Sequence, residues 1–387
     1  MTDYTKKTVL KGQKQLRCGY TTGTCAAAAA KAAAETLLSD EICRDISLCL
    51  PVGDTILLET ALTERHQKGV TCGIIKDAGD DPDITNGLMI CASVERINTN
   101  EIIIDGGEGV GRVTKPGLDQ PVGAAAINSV PRKMIREAVE AVCAAYRYQN
   151  GLKVTISIPH GQEKAQQTLN PMLGIVGGLS VLGTTGIVYP MSEKALIDSI
   201  GVDIRMHRAQ GEDILIMAPG NYGLDYLKTA YDIDAGQVVK ISNFVGDSID
   251  LAVSEDAKGI VLAGHIGKLI KVAGGIMNTH SHQADARMEI LTAYAAVAGV
   301  EGKVLRQLMT AVTTDAGLDI LQQCGKMEET MKFILDKIAY HVQKRAGSQV
   351  ETGIIIFSNV YGFLGATENV PELLNRRNRR QHMEEET

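Results

Sequence analysis

Residues 25–34 read Cys25, five alanines (Ala26 to Ala30), Lys31 and three more alanines (Ala32 to Ala34). Alanine has the highest helix propensity, because it loses no side-chain freedom on becoming helical. A helix over 25–38 is therefore predicted, with Thr22 or Thr24 as its cap. Its face carries nothing larger than a methyl group, so another backbone can approach closely. The chain has 387 residues, which makes two domains the default and three possible. Hydrophobic residues are 44% and charged residues 22%, a globular balance that excludes a disordered or collagenous chain. Trp is absent and Phe occurs 4 times, so the cores must be built from Ile, Val, Leu, Ala and Met. Gly occurs 40 times, above the usual roughly 7%. That excess suits loops in which backbone groups meet a neighbour or ligand directly.

Lys plus Arg is 39 against 46 for Asp plus Glu, a net charge of −7. Such a chain has no overall attraction to nucleic acid, and so few aromatics leave little for base stacking. The eight cysteines form no C-x-x-C pair, and the N-terminal residues hold no apolar signal core. Reduced thiols, no bound zinc and a cytoplasmic location are expected. Residues 165–192 carry no charge, which is long enough for a bilayer. They also hold Pro171, Pro190 and five glycines, so a buried glycine-rich loop region is expected, not a membrane span.

The first 150 residues alternate a helix, strand candidates at 46–50, 55–58, 70–76, 88–97 and 101–105, and a helix over 131–146 with Pro131 at its start. An α+β domain over 1–150 is expected. Beyond it, short apolar runs at 153–158, 213–217, 238–241, 259–263 and 353–357 end in small or polar residues. That rhythm predicts an α/β domain over 151–365, with mostly parallel strands, functional loops at their C-terminal ends and a helical block over 283–346 before the last strand. Residues 366–387, with Arg376, Arg377, Arg379 and Arg380, read as a charged, solvated tail or helix. No fixed-period repeat is present.

Several motifs admit two readings. Arg17 to Thr24, rich in glycine and hydroxyls before a helix, suits a carboxylate or phosphate, or is an elaborate cap. Four carboxylates in Asp77 to Asp83 call for a metal, a cationic ligand or a general-base role, or form a solvated turn. Gly106 to Arg112 imitates a dinucleotide fingerprint, but Pro116 prevents the helix it needs. A loop clasping a ligand through N–H groups, beside Arg112 and Lys115, stays open. Arg132, Lys133 and Arg136 lie in the first turns of a helix, where cations are mildly unfavourable, which hints at an anionic partner. Gly264 to Leu269 lacks the glycine and hydroxyl of a phosphate loop, yet strand, small turn and helix make a good cofactor edge. His280, His282 and Asp285 fit a hydrogen-bonded pair better than metal ligation. Gly246-Asp247-Ser248 lacks the company of a hydrolase elbow.

Together and in this order, several segments resemble one family. They are Arg17 to Ala30, Lys76 to Asp83, Val113 to Leu118, Ala126 to Ile135, Gly183 to Val188, Ser242 to Asp247, Gly264 to Leu269 and Thr279 to His282. The family is that of the cobalt-precorrin-5B (C-1)-methyltransferases of anaerobic cobalamin synthesis, and the resemblance spans about 8–365. Cys18 and Ser129 stand where a hydroxyl residue and a proline are more usual. The resemblance implies that S-adenosylmethionine donates a methyl group to C-1 of a cobalt-containing, ring-contracted tetrapyrrole. The products would be cobalt-precorrin-6A and S-adenosylhomocysteine. Cobalt would arrive with the substrate.

The substrate's many carboxylates would need donors, and Arg17, Thr21, Thr22, Arg112, Lys115, Arg132, Lys133 and Lys268 are the candidates. Gly183, Thr184, Thr185, Asn221, Asn243, Asp247 and Gly264 are candidates for the methyl donor, as strand ends of the second domain. Asp80, Asp81 and His265 are candidates for positioning or proton handling. Tyr20, Tyr189 and Tyr222 are the available aromatic walls. A homo-oligomer or transient contact with neighbouring pathway enzymes is possible; no nucleic acid or membrane partner is expected. Two other classes stay open: a non-catalytic corrinoid carrier and a metallohydrolase.

Overall fold

The computed structural model describes residues 4–11, 13–168 and 170–385, with the backbone alone at Thr5 and over 378–385. The fold is mixed α/β and divides into two compact units, Met1–Glu193 and Lys194–Thr387.

The first unit holds a five-stranded sheet in the order Leu62–His66, Gly69–Ile75, Met89–Ile97, Gly151–Ser157, Ile102–Gly106. All its pairings are antiparallel except the last, where Leu152 faces Ile102 and Ile156 faces Gly106 in parallel. Parallel neighbours need a crossover, and helix Ser129–Ala145 provides it. Alternate residues point to one face: Val70, Cys72 and Ile74, then Ile90, Ala92 and Val94, then Leu152, Val154 and Ile156, all buried. Helix Thr22–Ser39 packs on these strands and on helix Ser129–Ala145. Every alanine from Ala26 to Ala34 has 0% exposure. The helix is enclosed by its neighbours, and only methyl-sized side chains fit. Lys31, the cation within the alanine run, reaches out and donates to the carbonyl of Ser47 at 2.5 Å. The cap is Thr21, one residue before the expected pair, and it accepts the N–H of Thr24 at 3.2 Å.

The expected boundary at 150 is displaced to 193. Strand Gly151–Ser157 lies inside the first sheet, so a cut at 150 would sever two ladders. The uncharged segment also returns to the first unit. Ile187 and Val188 pair with Tyr20 and Gly19, and Ile175 and Val176 pair with Val113 and Arg112. Leu169 of that segment lies outside the described residues. Among the described residues no helix is long and apolar enough to cross a membrane.

The second unit is built on a sheet in the order Val238–Lys240, Ile214–Ala218, Gly259–His265, Glu351–Ser358, Gly362–Ala366. The first four strands are parallel and the last is antiparallel. Every residue of Ile214–Ala218 is buried, as expected for a strand covered on both faces. Helices Val245–Ser254, Ile266–Ala273 and Met327–Ala346 share one core with Leu215, Met217, Ile260 and Leu262. Helices Asn221–Tyr231 and Val370–Glu385 share another with Ile214, Ile216, Val261 and Ala263. The helical block over 283–346 resolves into Arg287–Val297, Gly302–Met309, Thr314–Gln323 and Met327–Ala346. The charged tail is a docked helix. Val370 and Leu373 are buried, and Arg377 is 4% exposed against Glu212 at 2.9 Å. The side chains of Arg379 and Arg380 lie outside the described residues.

Candidate active site

In the first unit, the turn before the alanine helix is closed by its own chain. Thr22 Oγ1 donates to the carbonyl of Leu182 and accepts its N–H, each at 3.0 Å, while the N–H of Gly23 donates to the same carbonyl. Thr24 Oγ1 donates to the carbonyl of Gly186 at 2.7 Å, and the N–H of Thr21 binds it too. These contacts occupy the N–H groups and hydroxyls that would hold an anion. The turn is therefore the elaborate cap, with Thr21 and Thr22 as its fasteners. Gly183, at φ +141°, sits where a Cβ would lie 2.3 Å from Thr21 Oγ1. Gly183, Thr184 and Thr185 thus belong to the first unit. Their expected place among the strand ends of the second followed from the boundary at 150.

The acidic segment resolves its repulsion internally. Asp77 takes a bidentate pair from Arg17 at 2.5 and 2.9 Å. That hydrogen bond holds the Asp77 carboxyl below its usual range. Asp80 accepts the N–H of Arg17 at 2.6 Å, and Asp81 that of Met191 at 2.9 Å. Asp83 pairs at 2.5 Å with Lys76, whose side chain is 1% exposed. Burial alone would raise Asp83, but the Lys76 charge and bonds from Lys76 and Thr85 bring it below the ordinary value. No signal short of a contact marks Lys76 as a buried cation. Among the described residues no group of three His, Cys, Asp or Glu is placed to hold a metal.

The other candidate cations of the first unit differ in how firmly the chain holds them. Arg112 forks onto Asp105 at 2.7 and 3.2 Å and donates to the carbonyl of Gly106. Arg132 donates to the carbonyls of Ile127, Ile104 and Ala125 at 2.8 to 3.2 Å, so it clamps a sheet edge to its crossover helix. Lys115 lies 3.4 Å from the carbonyl of Met172 and is exposed. Lys133 is exposed, 3.7 Å from Glu137. Tyr20 is 3% exposed and forms core, not a wall.

In the second unit the strand ends converge. Strand Ile214–Ala218 continues to Val238–Lys240 on one side, and Gly259–His265 continues to Glu351–Ser358 on the other. The strand order thus reverses between the parallel neighbours Ile214–Ala218 and Gly259–His265. Open α/β sheets bind ligands outside the carboxyl ends of the strands at such a point. Gly220 follows the first strand at φ +115°, and Asn221 and Tyr222 open the next helix, both exposed. Gly264 is the last residue but one of the second strand; a Cβ there would lie 2.9 Å from Leu269 Cγ and 3.0 Å from Pro219 Cγ. Lys268 donates to the carbonyl of Ser242 at 3.3 Å. Burial first, then Lys240 and Lys271, lower its pKa. His265 is half-buried between Tyr222 and Phe357, with ring centroids at 6.0 and 5.7 Å.

Asn243 is drawn into a neighbouring loop. Its carbonyl accepts the N–H of Thr279 at 2.9 Å, and its side chain meets the Thr279 hydroxyl at 3.4 Å. Lys271, 3% exposed, donates to the carbonyls of Thr279 and Ala284. That buried lysine escaped the sequence reading, although its apolar flanks, Leu269-Ile270 and Val272-Ala273, are a signal. His280 Nδ1 accepts the N–H of His282 at 3.1 Å, the hydrogen-bonded reading of that motif. Asp247 lies in the first turn of helix Val245–Ser254. Ser358, which donates to Asp315 at 2.6 Å, was not anticipated, and no local pattern marks it.

Residues 9–190 match the family model described as CbiD, and residues 278–368 that described as CbiD, C-terminal domain. A cobalt-precorrin-5B C(1)-methyltransferase of Ruminiclostridium cellulolyticum is 43% identical over 374 residues, covering 94% of this chain and 97% of that protein. The chain belongs to the cobalt-precorrin-5B C(1)-methyltransferase family. Relatives of the same name in Alkaliphilus metalliredigens and Photorhabdus laumondii are 43% and 40% identical, over 95% and 93% of this chain and 96% and 95% of theirs. A crystal structure of a cobalamin biosynthesis protein from Archaeoglobus fulgidus is similar at a TM-score of 0.40. It is 26% identical, over 73% of this chain and 89% of that one.

Proposed function

We propose that this chain transfers a methyl group from S-adenosylmethionine to C-1 of cobalt-precorrin-5B, giving cobalt-precorrin-6A and S-adenosylhomocysteine. The observation that supports the reaction is identity of 43% over nearly the whole length of a relative that bears this activity in its name. Cobalt enters as part of the substrate. The two compact units are read as the domains of one enzyme, with the parallel sheet of the second as the donor side.

The residues at that edge fit the donor. Gly220, at φ +115°, leaves the turn after the first strand without a side chain, and Gly264 lets that turn's Pro219 pack closely against the second strand. Asn221, Asn243 and Asp247 stand at the ends or starts of the elements around it. A sulfonium donor supplies an activated methyl group for in-line transfer. The chain's own task is orientation and exclusion of water more than acid–base work. That fits cations held partly out of water, such as Lys268, and carboxylates such as Asp80 and Asp81 that accept backbone N–H groups. Lys115 and Lys133, exposed on the first unit, are the cations of that unit we assign to substrate carboxylates. The eight cysteines carry free thiols, which suits a reducing cytoplasm.

Incubation with methyl-labelled S-adenosylmethionine and cobalt-precorrin-5B tests the reading. One label per macrocycle is expected, at C-1. Bound but unlabelled corrinoid would favour the carrier instead.

A further inference from the structure

His265 is fixed by one ring nitrogen and unsatisfied at the other. It caps helix Ile266–Ala273, and its Nδ1 accepts the N–H of Gly267 at 3.0 Å. A nitrogen that accepts carries no proton, so the neutral ring holds its proton on Nε2. Nε2 is buried and has no hydrogen-bond partner among the described residues. A buried N–H without an acceptor is unfavourable, and a ligand at that point would relieve it.

The surroundings narrow the ligand. Phe357, 1% exposed, meets the ring edge-on, and Tyr222, 63% exposed, lies across it on the open side. The titratable groups that face the ring are Asp315 on helix Thr314–Gln323 and Tyr222 on helix Asn221–Tyr231, and the cation on its own helix nearest in sequence is Lys268, whose amine turns to Ser242 and Gly220. Burial lowers the His265 pKa against the pull of Asp315, so the ring is neutral at physiological pH. A carboxylate would call for a cation, and Lys268 provides one close to Gly220. A neutral donor beside an exposed aromatic face suits an uncharged, planar heterocycle and its sugar.

Given the donor reading above, we propose that His265 donates its Nε2–H to an acceptor atom of the methyl donor's adenosine and that Tyr222 covers that nucleoside. His265 is thus a positioning residue for the donor and takes no proton in the reaction.

The test is calorimetric binding of S-adenosylhomocysteine and of 5′-methylthioadenosine, which keeps the nucleoside and lacks the amino acid. In His265→Asn, the amide oxygen can still cap Gly267 while the distal donor is gone. That variant is expected to bind both ligands about tenfold more weakly. Tyr222→Ala, at an exposed position where folding is not at stake, is expected to weaken both about threefold. Binding to the unaltered protein should fall as the pH drops below the ordinary imidazole range, because a protonated Nδ1 cannot accept from Gly267. In His265→Asn that fall should vanish. Unchanged affinity in either variant would overturn the proposal, as would a loss confined to S-adenosylhomocysteine. If the unaltered protein binds neither ligand, the donor reading itself fails and takes this proposal with it.

Discussion

Lys76 and Asp83 show how a motif can be visible and its meaning hidden. The four carboxylates of 77–83 are plain in the sequence, and so is the need for positive charge. The partners, Arg17 and Lys76, are not, because one is 60 residues away and the other looks like the end of a strand. Removing Lys76 leaves Asp83 without its counter-charge. Breaking a buried pair costs roughly 3–5 kcal/mol, and Lys76→Met should fall at the lower end, since 24% of the Asp83 side chain stays exposed. Thermal unfolding followed by circular dichroism measures it. The same pairs set a pH dependence. Asp77 and Asp83 have pKa values below their unfolded ones, the first through the Arg17 hydrogen bond and the second through Lys76 working against burial. Their stabilisation is complete above the unfolded value of about 3.9 and is lost as pH falls through the folded values. Stability should be level near neutrality and drop below about pH 4, with a shallower drop in Lys76→Met.

At the scale of elements, the alanine helix was legible, apart from its cap and first turn, because its constraint is local and steric. Zero exposure on every alanine leaves no room for a longer side chain. Ala29→Leu should destabilise by roughly 1–3 kcal/mol through overpacking, read as a lowered denaturant midpoint. Gly19 is a harsher case: a Cβ there would lie 2.1 Å from the backbone of Ala78. Gly19→Ala should cost more than Ala29→Leu in the same assay, since a backbone cannot move aside as a side chain can. The parallel strands of the second unit were legible from their apolar runs and small-residue ends. The role of strand Gly151–Ser157 was not. Its apolar run has the same signature, and only its pairing with Ile102–Gly106 and Met89–Ile97 assigns it to the first sheet. That one misplacement carried Gly183, Thr184 and Thr185 to the wrong unit. The partners that hold Arg112 and Arg132, a carboxylate and backbone carbonyls brought near by folding, were likewise invisible in the sequence.

For the whole molecule, the aromatic shortage now has a location. Tyr20 is in the core, while Tyr222, Tyr226 and Phe357 gather with His265 at one edge of the second unit's sheet. The family was legible from the order of eight weak motifs, none of which names it alone. The C-terminal helix shows the limit of composition: its arginines read as solvated, yet Arg377 is buried against Glu212, which also lies 3.1 Å from His207. Arg377→Ala should lower the stability of the second unit by roughly 3–5 kcal/mol by leaving Glu212 buried without that charge, measurable by hydrogen exchange in strand Ile214–Ala218. The central claim is that the methyl donor binds at the switch point of the parallel sheet. A crystal structure with S-adenosylhomocysteine tests it most directly. The account requires the nucleoside to lie against Gly220, Gly264, Tyr222 and His265 Nε2. A nucleoside seated instead at the Thr21 to Thr24 turn and Gly183 would contradict it.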